Sequence, residues 1–299
     1  MNIKIGTRKS PLALYQAQFV ADLLENLDSS IRCELVGIDS TGDIDQSSSL
    51  FKIGGQGIFV TAIREAVVDK RVDIAVHSAK DIPSGNVEQL VIAAYPIRAD
   101  VRDVLVGKSI SDLENGDVVR TGSARRVLQL SHLKDGLCFE ELRGNIQTRL
   151  NKIPNNGSIV VAKAALDRLG INLENCEILS TDIMLPQIGQ GAIAVEVSSD
   201  NSEIIEVVSQ INNVEVSEAM EVERAFLNAI GSDCTWPVGG LVKYNQGQDS
   251  LSFEVMLGNA QTKKFIKKVF EISGSKNLTV FGADCAKELI QQAKSFSIL

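Results

Sequence analysis

The chain has 299 residues, a length typical of two or three compact domains, and its 44% hydrophobic and 23% charged content is ordinary for a globular protein. A net charge of −8 and an aromatic content of only 5% argue against a nucleic-acid-binding surface. No apolar run approaches the roughly 18 residues of a membrane span, and no basic segment precedes an apolar one at the N-terminus, so the sequence predicts a cytoplasmic protein without membrane contact.

The first predicted elements are a strand and a helix joined by a short polar junction. Apolar and polar residues alternate from the N-terminus, and Ser10 followed by Pro11 is typical of a helix start. Apolar residues then recur at helical spacing as far as Leu24. Backbone N–H groups and the helix dipole favour an anion at such a junction. A second strand is predicted at about 34–38, followed by a polar loop over 39–49.

A glycine cluster, Gly54-Gly-Gln-Gly57, precedes a helix predicted over about 58–70. It resembles a phosphate cradle only weakly, because neither a Walker lysine nor a full dinucleotide fingerprint accompanies it. A glycine turn with a flexible backbone is the simpler interpretation.

The segment 72–83 combines a short apolar strand with a dense polar group. The apolar run 74–76 fits a buried strand, and His77, Ser78, Lys80 and Asp81 are predicted to lie in the turn beyond it. Ligands of open α/β sheets bind in the crevice beyond the carboxyl ends of the strands. Alone, the segment is also typical of an ordinary strand-to-helix loop. A further strand is predicted at 90–94.

A charged stretch at 98–103 predicts a crossing into a second domain. Beyond it, three predicted strand-to-helix junctions bring basic residues to the carboxyl edge of a sheet, in the segments 120–126, 143–149 and 163–168. Arginine suits bidentate recognition of carboxylates and phosphates. A single arginine is more often a solvated surface charge, but the repetition in an acidic chain predicts a small polyanion held in a cleft.

A glycine-bearing segment at 185–196 predicts a return crossing, which would make the first domain discontinuous and leave a cleft between two α/β lobes. After a helix that ends at Gly231, strands follow each other without helices before a last helix at 277–293, as in a small α+β domain. The predicted domains are 1–97 with 193–213, 98–192, and 214–299.

The five cysteines are scattered and include no Cys-x-x-Cys pair, so the sequence predicts neither a metal site nor a disulfide framework. They are Cys33, Cys138, Cys176, Cys234 and Cys285. Cys234 lies in a predicted loop between a helix end and a proline, where a ligand could reach it. A small buried hydrophobic side chain is an equally good interpretation of that cysteine.

Five motifs in this order resemble the porphobilinogen deaminase family over essentially the whole chain. They are Thr-Arg-Lys-Ser-Pro-Leu-Ala at 7–13, His-Ser-Ala-Lys-Asp at 77–81, Arg-Gly-Asn-Ile-Gln-Thr-Arg at 143–149, Gly-Gln-Gly-Ala at 189–192 and Cys-Thr-Trp-Pro-Val-Gly at 234–239. The resemblance implies two lobes like those of periplasmic binding proteins, with a hinge crossed twice, and a small C-terminal α+β domain. It also implies a transferase of tetrapyrrole and haem biosynthesis that joins four porphobilinogen units head to tail, releases ammonia and yields hydroxymethylbilane.

The family carries a dipyrromethane cofactor on a loop cysteine through a thioether, which matches Cys234 here, and its key carboxylate matches Asp81. The resemblance further implies two sets of ligand-binding residues and no metal. The cofactor set is Ser78, Lys80, Thr121, Ser123, Arg125, Arg126 and Gly144. The substrate set is Arg8, Ser10, Gln16, Arg143, Arg149, Arg168 and Gln190. The substrate is the small molecule porphobilinogen, and the enzyme is expected to be a monomer.

The chain departs from the family pattern at several loop positions, which puts loop conformation and some carboxylate contacts in question. They are Gln56, Arg120, Gly122, Ser232, Asp233 and Trp236. Two other functions remain open at this point. Two lobes around a cationic cleft also describe a non-enzymatic carboxylate-binding protein, and Cys234 could serve a thiol hydrolase, although no histidine lies near it in the sequence.

Overall fold

The computed structural model describes residues 1–39, 60–83, 85, 87–231, 236–244, 250–273 and 277–299. The strands in this part of the chain are β1 (Asn2–Arg8), β2 (Arg32–Ile38), β3 (Ile74–Ser78), β4 (Leu90–Ala94), β5 (Asp103–Gly107), β6 (Val118–Arg120), β7 (Cys138–Glu140), β8 (Gly157–Ala162), β9 (Cys176–Leu179), β10 (Ile193–Ser198), β11 (Val238–Tyr244), β12 (Ser250–Asn259) and β13 (Lys264–Ser273). The helices are α1 (Pro11–Leu27), α2 (Thr61–Val68), α3 (Ala124–Leu133), α4 (Ile146–Leu150), α5 (Lys163–Arg168), α6 (Ser202–Ser209), α7 (Val214–Ile230) and α8 (Leu278–Ser295), with a 3-10 helix at Ala79–Asp81.

The chain divides into two compact units. The first comprises Met1–Ala99 and Gly191–Ser217, and its five-stranded sheet has the order β2-β1-β3-β10-β4. Strands β1, β2 and β3 are parallel, whereas β10 runs antiparallel to both of its neighbours. The apolar stripe of α1 packs on strands β1 and β3, so the predicted periodicity of this helix is confirmed.

The second unit comprises Asp100–Gln190 and Glu218–Leu299 and contains two sheets. Its larger sheet has the order β7-β6-β8-β5-β9, in which β6, β7 and β8 are parallel and β5 is antiparallel to β8 and β9. This is the same plan as in the first unit. In each sheet the antiparallel strand in fourth place, β10 in the first unit and β5 in the second, is the first strand after the chain passes from one unit to the other.

The smaller sheet of the second unit is the antiparallel β11-β12-β13. Its apolar face packs with α7 and α8, and the rings of Phe226 and Phe253 meet edge to face at 5.2 Å between centroids. The predicted α/β fold class is confirmed, because the described chain contains two five-stranded sheets of the same plan and a small antiparallel sheet that packs with helices. In the described part of the chain, no helix is long and apolar enough to cross a membrane.

The structure differs from the sequence prediction at several elements. Strand β5 begins inside the stretch that was expected to be a charged crossing, and β9 and α6 had no counterpart in the prediction. These elements have at most eight residues, too few to show a clear period. His77 and Ser78 belong to β3 rather than to the turn beyond it. The glycine cluster and most of the loop predicted at 39–49 lie outside the described residues.

Candidate functional site

A pocket of about 60 Å³ lies in the first unit at the edge where β1 and β3 end. Because β1, β2 and β3 are parallel, their carboxyl ends meet at this edge, and α1 begins beside it. The pocket joins charged side chains to polar and small apolar ones. Its lining residues are Arg8, Ser10, Leu12, Ala13, Gln16, Val60, Val76, His77, Ser78 and Asp81.

Local sequence explains how α1 supplies one side of this pocket. Pro11 is the first helical residue, and Ser10 caps the helix by accepting a hydrogen bond from the Ala13 N–H at 3.4 Å. One turn further on, Gln16 donates from Nε2 to the Ser78 Oγ at 2.9 Å. This bond ties the helix to the end of β3. Four residues of the predicted substrate and cofactor sets line this pocket: Arg8, Ser10, Gln16 and Ser78.

Asp81 lies in the 3-10 helix that follows β3, with Lys80 beside it, and both are partly exposed. The turn is held in place by the Ala79 N–H, which donates to the Ala192 carbonyl at 3.0 Å. Among the residues that the structure describes, none forms a hydrogen bond or ion pair with the Asp81 carboxylate. A carboxylate in a pocket with no such partner can interact with a cationic ligand.

Beneath this edge, the first unit buries a charged cluster that the sequence did not predict. Arg64 donates from Nε and Nη2 to the two carboxylate oxygens of Glu196 at 2.9 and 2.6 Å. His77 Nε2 lies 3.3 Å from the same carboxylate, close enough for an ion pair but not aligned as a hydrogen bond. Burial alone would raise the pKa of Glu196, but Arg64 and His77 outweigh burial and lower that pKa to about 2.

This cluster predicts a specific pH dependence of stability. The pKa of Glu196 is lower in the folded protein than its ordinary 4.5, so its contribution is complete above about pH 4.5 and is lost as the pH falls towards 2. The contribution is on the order of 3 kcal/mol. In urea unfolding, the stability difference between wild type and Glu196→Gln should therefore shrink from pH 6 to pH 3. The exposed Glu140→Gln is the control, and an equal shrinkage there would contradict the prediction.

The second unit presents basic residues at the corresponding edge of its larger sheet, where β6, β7 and β8 end. Thr121 and Ser123 form the junction after β6: the Ser123 N–H donates to Thr121 Oγ1 at 3.2 Å, and Ser123 caps α3. Arg125 and Arg126 follow in the first turn of α3. The predicted convergence of these junctions at one edge is confirmed by the parallel strand pairing.

Arg125 and Arg126 lie at this predicted edge as buried side chains. Both are buried, at 4% and 7% exposure, and both bind Asp103. Arg125 Nη2 donates to Asp103 Oδ2 at 2.8 Å, and Arg126 Nη2 donates to Oδ1 at 2.7 Å. Their Nη1 atoms donate to the carbonyls of Leu185 and Val160 at 2.5 and 2.8 Å. The two guanidiniums are therefore held rigidly.

Gln190 belongs to the same buried cluster. Its Nε2 donates to Asp103 Oδ1 and to the Val101 carbonyl, each at 2.8 Å, and the residue is completely buried. Asp103 and Val101 lie just after the first crossing of the chain, whereas Gln190 lies just before the second boundary of the unit. Gln190 therefore ties the two crossing segments together within the second unit, and its predicted contact with substrate stays a prediction.

The junction after β7 carries Arg143, Gly144 and Arg149. Arg149 Nε donates to the Gly144 carbonyl at 2.7 Å, and Arg143 Nε donates to Glu141 at 2.7 Å. Gly144 has a φ of +108°, and a Cβ there would lie 2.6 Å from Thr148 Cγ2, so a glycine is needed for this turn. Both arginines are partly exposed, as is Arg168 in the last turn of α5. The side chains of Arg143 and Arg149 are therefore partly accessible to a ligand at this edge.

Sequence reasoning missed Asp103 and Glu196, although each carries a recognisable signal. Asp103 begins the run Asp-Val-Leu-Val, and Glu196 interrupts the run Ile-Ala-Val-Glu-Val. A carboxylate inside an apolar strand must be paired when the strand is buried. That signal predicts a partner but does not identify it.

Cys234 lies outside the described residues, as do Ser232, Asp233 and Gln56. Trp236 lies just beyond that gap and packs against the core of the small sheet. Burial raises the pKa of Cys33 to about 11 and that of Cys285 to about 12, which disfavours the nucleophilic thiolate at both. Cys138 and Cys176 are exposed free thiols.

Comparison with known proteins gives matches over nearly the whole chain. Residues 3–206 match the family described as "Porphobilinogen deaminase, dipyromethane cofactor binding domain", and residues 217–291 match "Porphobilinogen deaminase, C-terminal domain". Porphobilinogen deaminase of Rickettsia akari is 36% identical over 299 residues, covering 98% of this chain and 99% of the relative. That of Rickettsia bellii is 38% identical over 295 residues, covering 97% and 98%. That of Bacillus pumilus is 35% identical over 293 residues, covering 96% and 93%.

These matches decide between the functions that the sequence left open. They confirm the predicted enzyme class and the dipyrromethane cofactor, and they do not support a non-enzymatic binding protein. The match continues through the C-terminal segment that contains Cys234. On these grounds, the chain belongs to the porphobilinogen deaminase family.

Proposed function

We propose that this protein joins four porphobilinogen units head to tail with release of ammonia, and that Asp81 is its catalytic carboxylate. The observation that carries the proposal is the pocket of the first unit, where Asp81 lies with Arg8, Ser10, Gln16 and Ser78. A pyrrole with two carboxylates and a cationic aminomethyl group requires both signs of charge in its binding site. This pocket supplies both.

Asp81 has two tasks in this reaction. Loss of ammonia from the substrate leaves a cationic carbon, and a fixed carboxylate stabilises that charge as it develops. The same carboxylate can accept the proton that leaves the attacking pyrrole carbon when the ring regains aromaticity. No described residue neutralises the carboxylate of Asp81 beforehand, so its charge is available to the substrate.

The cationic residues of the second unit hold the carboxylates of cofactor and substrate in this proposal. Two buried guanidiniums share the single carboxylate of Asp103, so among the described residues the cluster keeps one uncompensated positive charge. Arg125 Nε and Arg126 Nε are buried without a hydrogen-bond partner in the described structure. Both observations fit a group that carries carboxylates, such as dipyrromethane. When bound, this cofactor supplies the pyrrole to which the first substrate unit is joined.

Cys234 is the proposed point of attachment, through a thioether. The thiol must be alkylated, which requires an accessible thiolate rather than a buried thiol of raised pKa. Cys33 and Cys285 are unsuitable by that criterion because burial raises the pKa of each. The match of the loop motif at 234–239 to the family supports Cys234 over the exposed Cys138 and Cys176.

Intact mass and turnover together test this function. The purified protein should exceed its sequence mass by two linked pyrrole units and should consume porphobilinogen with release of ammonia. A protein of unmodified mass that binds porphobilinogen without consuming it, even after incubation with excess substrate, would contradict the proposal.

The junction after β7 gives a further prediction about elongation. Arg143→Gln and Arg149→Gln should each raise the KM for porphobilinogen and slow chain elongation about tenfold or more, because a charge-assisted hydrogen bond contributes roughly 1.5–3 kcal/mol. Stability should change much less than activity, since both side chains are partly exposed. Steady-state kinetics and thermal unfolding measure the two effects.

The exposed Arg71, which lies 3.7 Å from Asp69 in the other unit, provides the control. Arg71→Gln removes the same charge away from the proposed site and should leave kinetics unchanged. If all three variants behave alike, Arg143 and Arg149 do not bind substrate.

A further inference from the structure

Asp103 is buried at the edge of the larger sheet in the second unit, at the start of β5. Strand β5 runs antiparallel to β8, and Asp103 pairs in register with Ala162 at the carboxyl end of β8. The side chain therefore lies at the same edge as the basic junctions that follow β6, β7 and β8. It is the negatively charged group to which the two buried arginines of this edge are bound.

The hydrogen bonds of Asp103 connect three separate pieces of the second unit. One oxygen accepts from Arg125 at 2.8 Å, and the other accepts from Arg126 and from Gln190 at 2.7 and 2.8 Å. Arg125 and Arg126 begin α3, whereas Gln190 ends the segment before the second crossing. Arg125 also donates to the carbonyl of Leu185 in that segment. Asp103 thus fixes where both guanidiniums lie.

Among the residues that the structure describes, the charges of this cluster do not balance. Two guanidiniums and one carboxylate leave a net charge of +1 in a buried environment, which is costly unless another anion is nearby. The Nε atoms of both arginines remain without a hydrogen-bond partner in the described structure. Burial alone would raise the pKa of Asp103, but the two arginines outweigh burial and hold that pKa well below its ordinary value, so the carboxylate stays ionised.

We infer that Asp103 is a positioning residue for the cofactor, because it holds Arg125 and Arg126 so that their uncompensated charge binds a carboxylate of dipyrromethane. The inference rests on the proposed function, which supplies the cofactor. Asp103 does not touch the cofactor in this scheme and takes no part in proton transfer. It holds the two arginine side chains in place before the ligand binds. Binding then does not include the entropic cost of ordering these side chains.

Cofactor loading tests this inference independently of turnover. Apoprotein made without a supply of porphobilinogen is incubated with porphobilinogen, and intact mass follows the appearance of the adduct. The Tm of apo and loaded protein is measured alongside. Asp103→Asn should acquire the adduct at least about tenfold more slowly than wild type. Loading should also raise the Tm of this variant by much less than it raises the Tm of wild type. The gain in Tm on loading is a difference, so it cancels any loss of stability that both forms share.

Asp117→Asn is the matched control, because Asp117 is another buried aspartate of the second unit, just before β6, at 1% side-chain exposure and paired with Lys108 at 2.8 Å. It should load at the wild-type rate. Equal loading and equal gain in Tm for Asp103→Asn and Asp117→Asn would overturn the inference. Faster loading of Asp103→Asn would also overturn it, since Asp103 would then compete with the cofactor for the arginines.

Removing one partner of a buried ion cluster can prevent folding. If circular dichroism shows that Asp103→Asn is unfolded, Asp103→Glu decides the question, since it keeps the charge and displaces the carboxylate by one methylene. Slower loading of folded Asp103→Glu supports the inference, and wild-type loading contradicts it. A wild-type protein that never acquires an adduct would instead contradict the proposed function itself.

Discussion

Asp81→Asn enzyme that already carries its cofactor should consume porphobilinogen at least about 100-fold more slowly than wild type in a single turnover. Asparagine keeps the size of the side chain but removes the charge that would stabilise the cationic intermediate, and loss of one preorganised electrostatic group costs about two to three orders of magnitude in rate. Folding should be nearly unaffected because Asp81 makes no hydrogen bond or ion pair to any described residue. Rapid-quench measurement of substrate consumption gives the rate.

Asp73→Asn is the control for this experiment. Asp73 lies just before the opposite end of β3, where its carboxylate accepts a hydrogen bond from the Lys4 N–H at 2.7 Å, far along the strand from the pocket. The Asp73→Asn variant should lose some stability but consume porphobilinogen at the wild-type single-turnover rate. Cofactor content of every sample must be established by mass, because Asp81 could also be needed to assemble the dipyrromethane. A near-normal single-turnover rate for loaded Asp81→Asn would show that the charge is not catalytic.

Cys234→Ala should fold but carry no pyrrole adduct and show no turnover. Alanine removes the only atom through which the proposed thioether could form, so the expected loss of activity is complete. The variant should also have a lower Tm than loaded wild type, since a bound group stabilises the folded state that holds it. Intact mass and thermal unfolding measure both effects.

Cys138→Ala provides the matched comparison, because it removes an exposed free thiol from the second unit. It should retain the adduct and full activity. Peptide mapping of wild type should place the adduct on the peptide that contains Cys234. An adduct found on a peptide with Cys33, Cys138, Cys176 or Cys285 would refute this attachment site.

The local elements of the fold could be predicted from the sequence because their signals lie within a few residues. Ser10 and Pro11 start α1 through a cap and a fixed φ, and the spacing of apolar residues defines which face of the helix is buried. The position of Asp81 just beyond a buried strand was also local information. That information predicts a carboxylate at a sheet edge, and Asp81 lies in the 3-10 helix that directly follows β3.

What the tertiary structure alone decided is which charges meet. Glu196 binds Arg64 across 132 positions of sequence, and Asp103 binds Arg125 and Arg126 across 22 and 23 positions. No periodicity encodes such partners, because they depend on which strands become neighbours after the chain has crossed twice. For the same reason the sequence predicts that Arg125 and Arg126 bind an anion but does not show that both side chains are buried. A side chain's exposure is set by what packs over it, and here the covering segments come from distant parts of the chain.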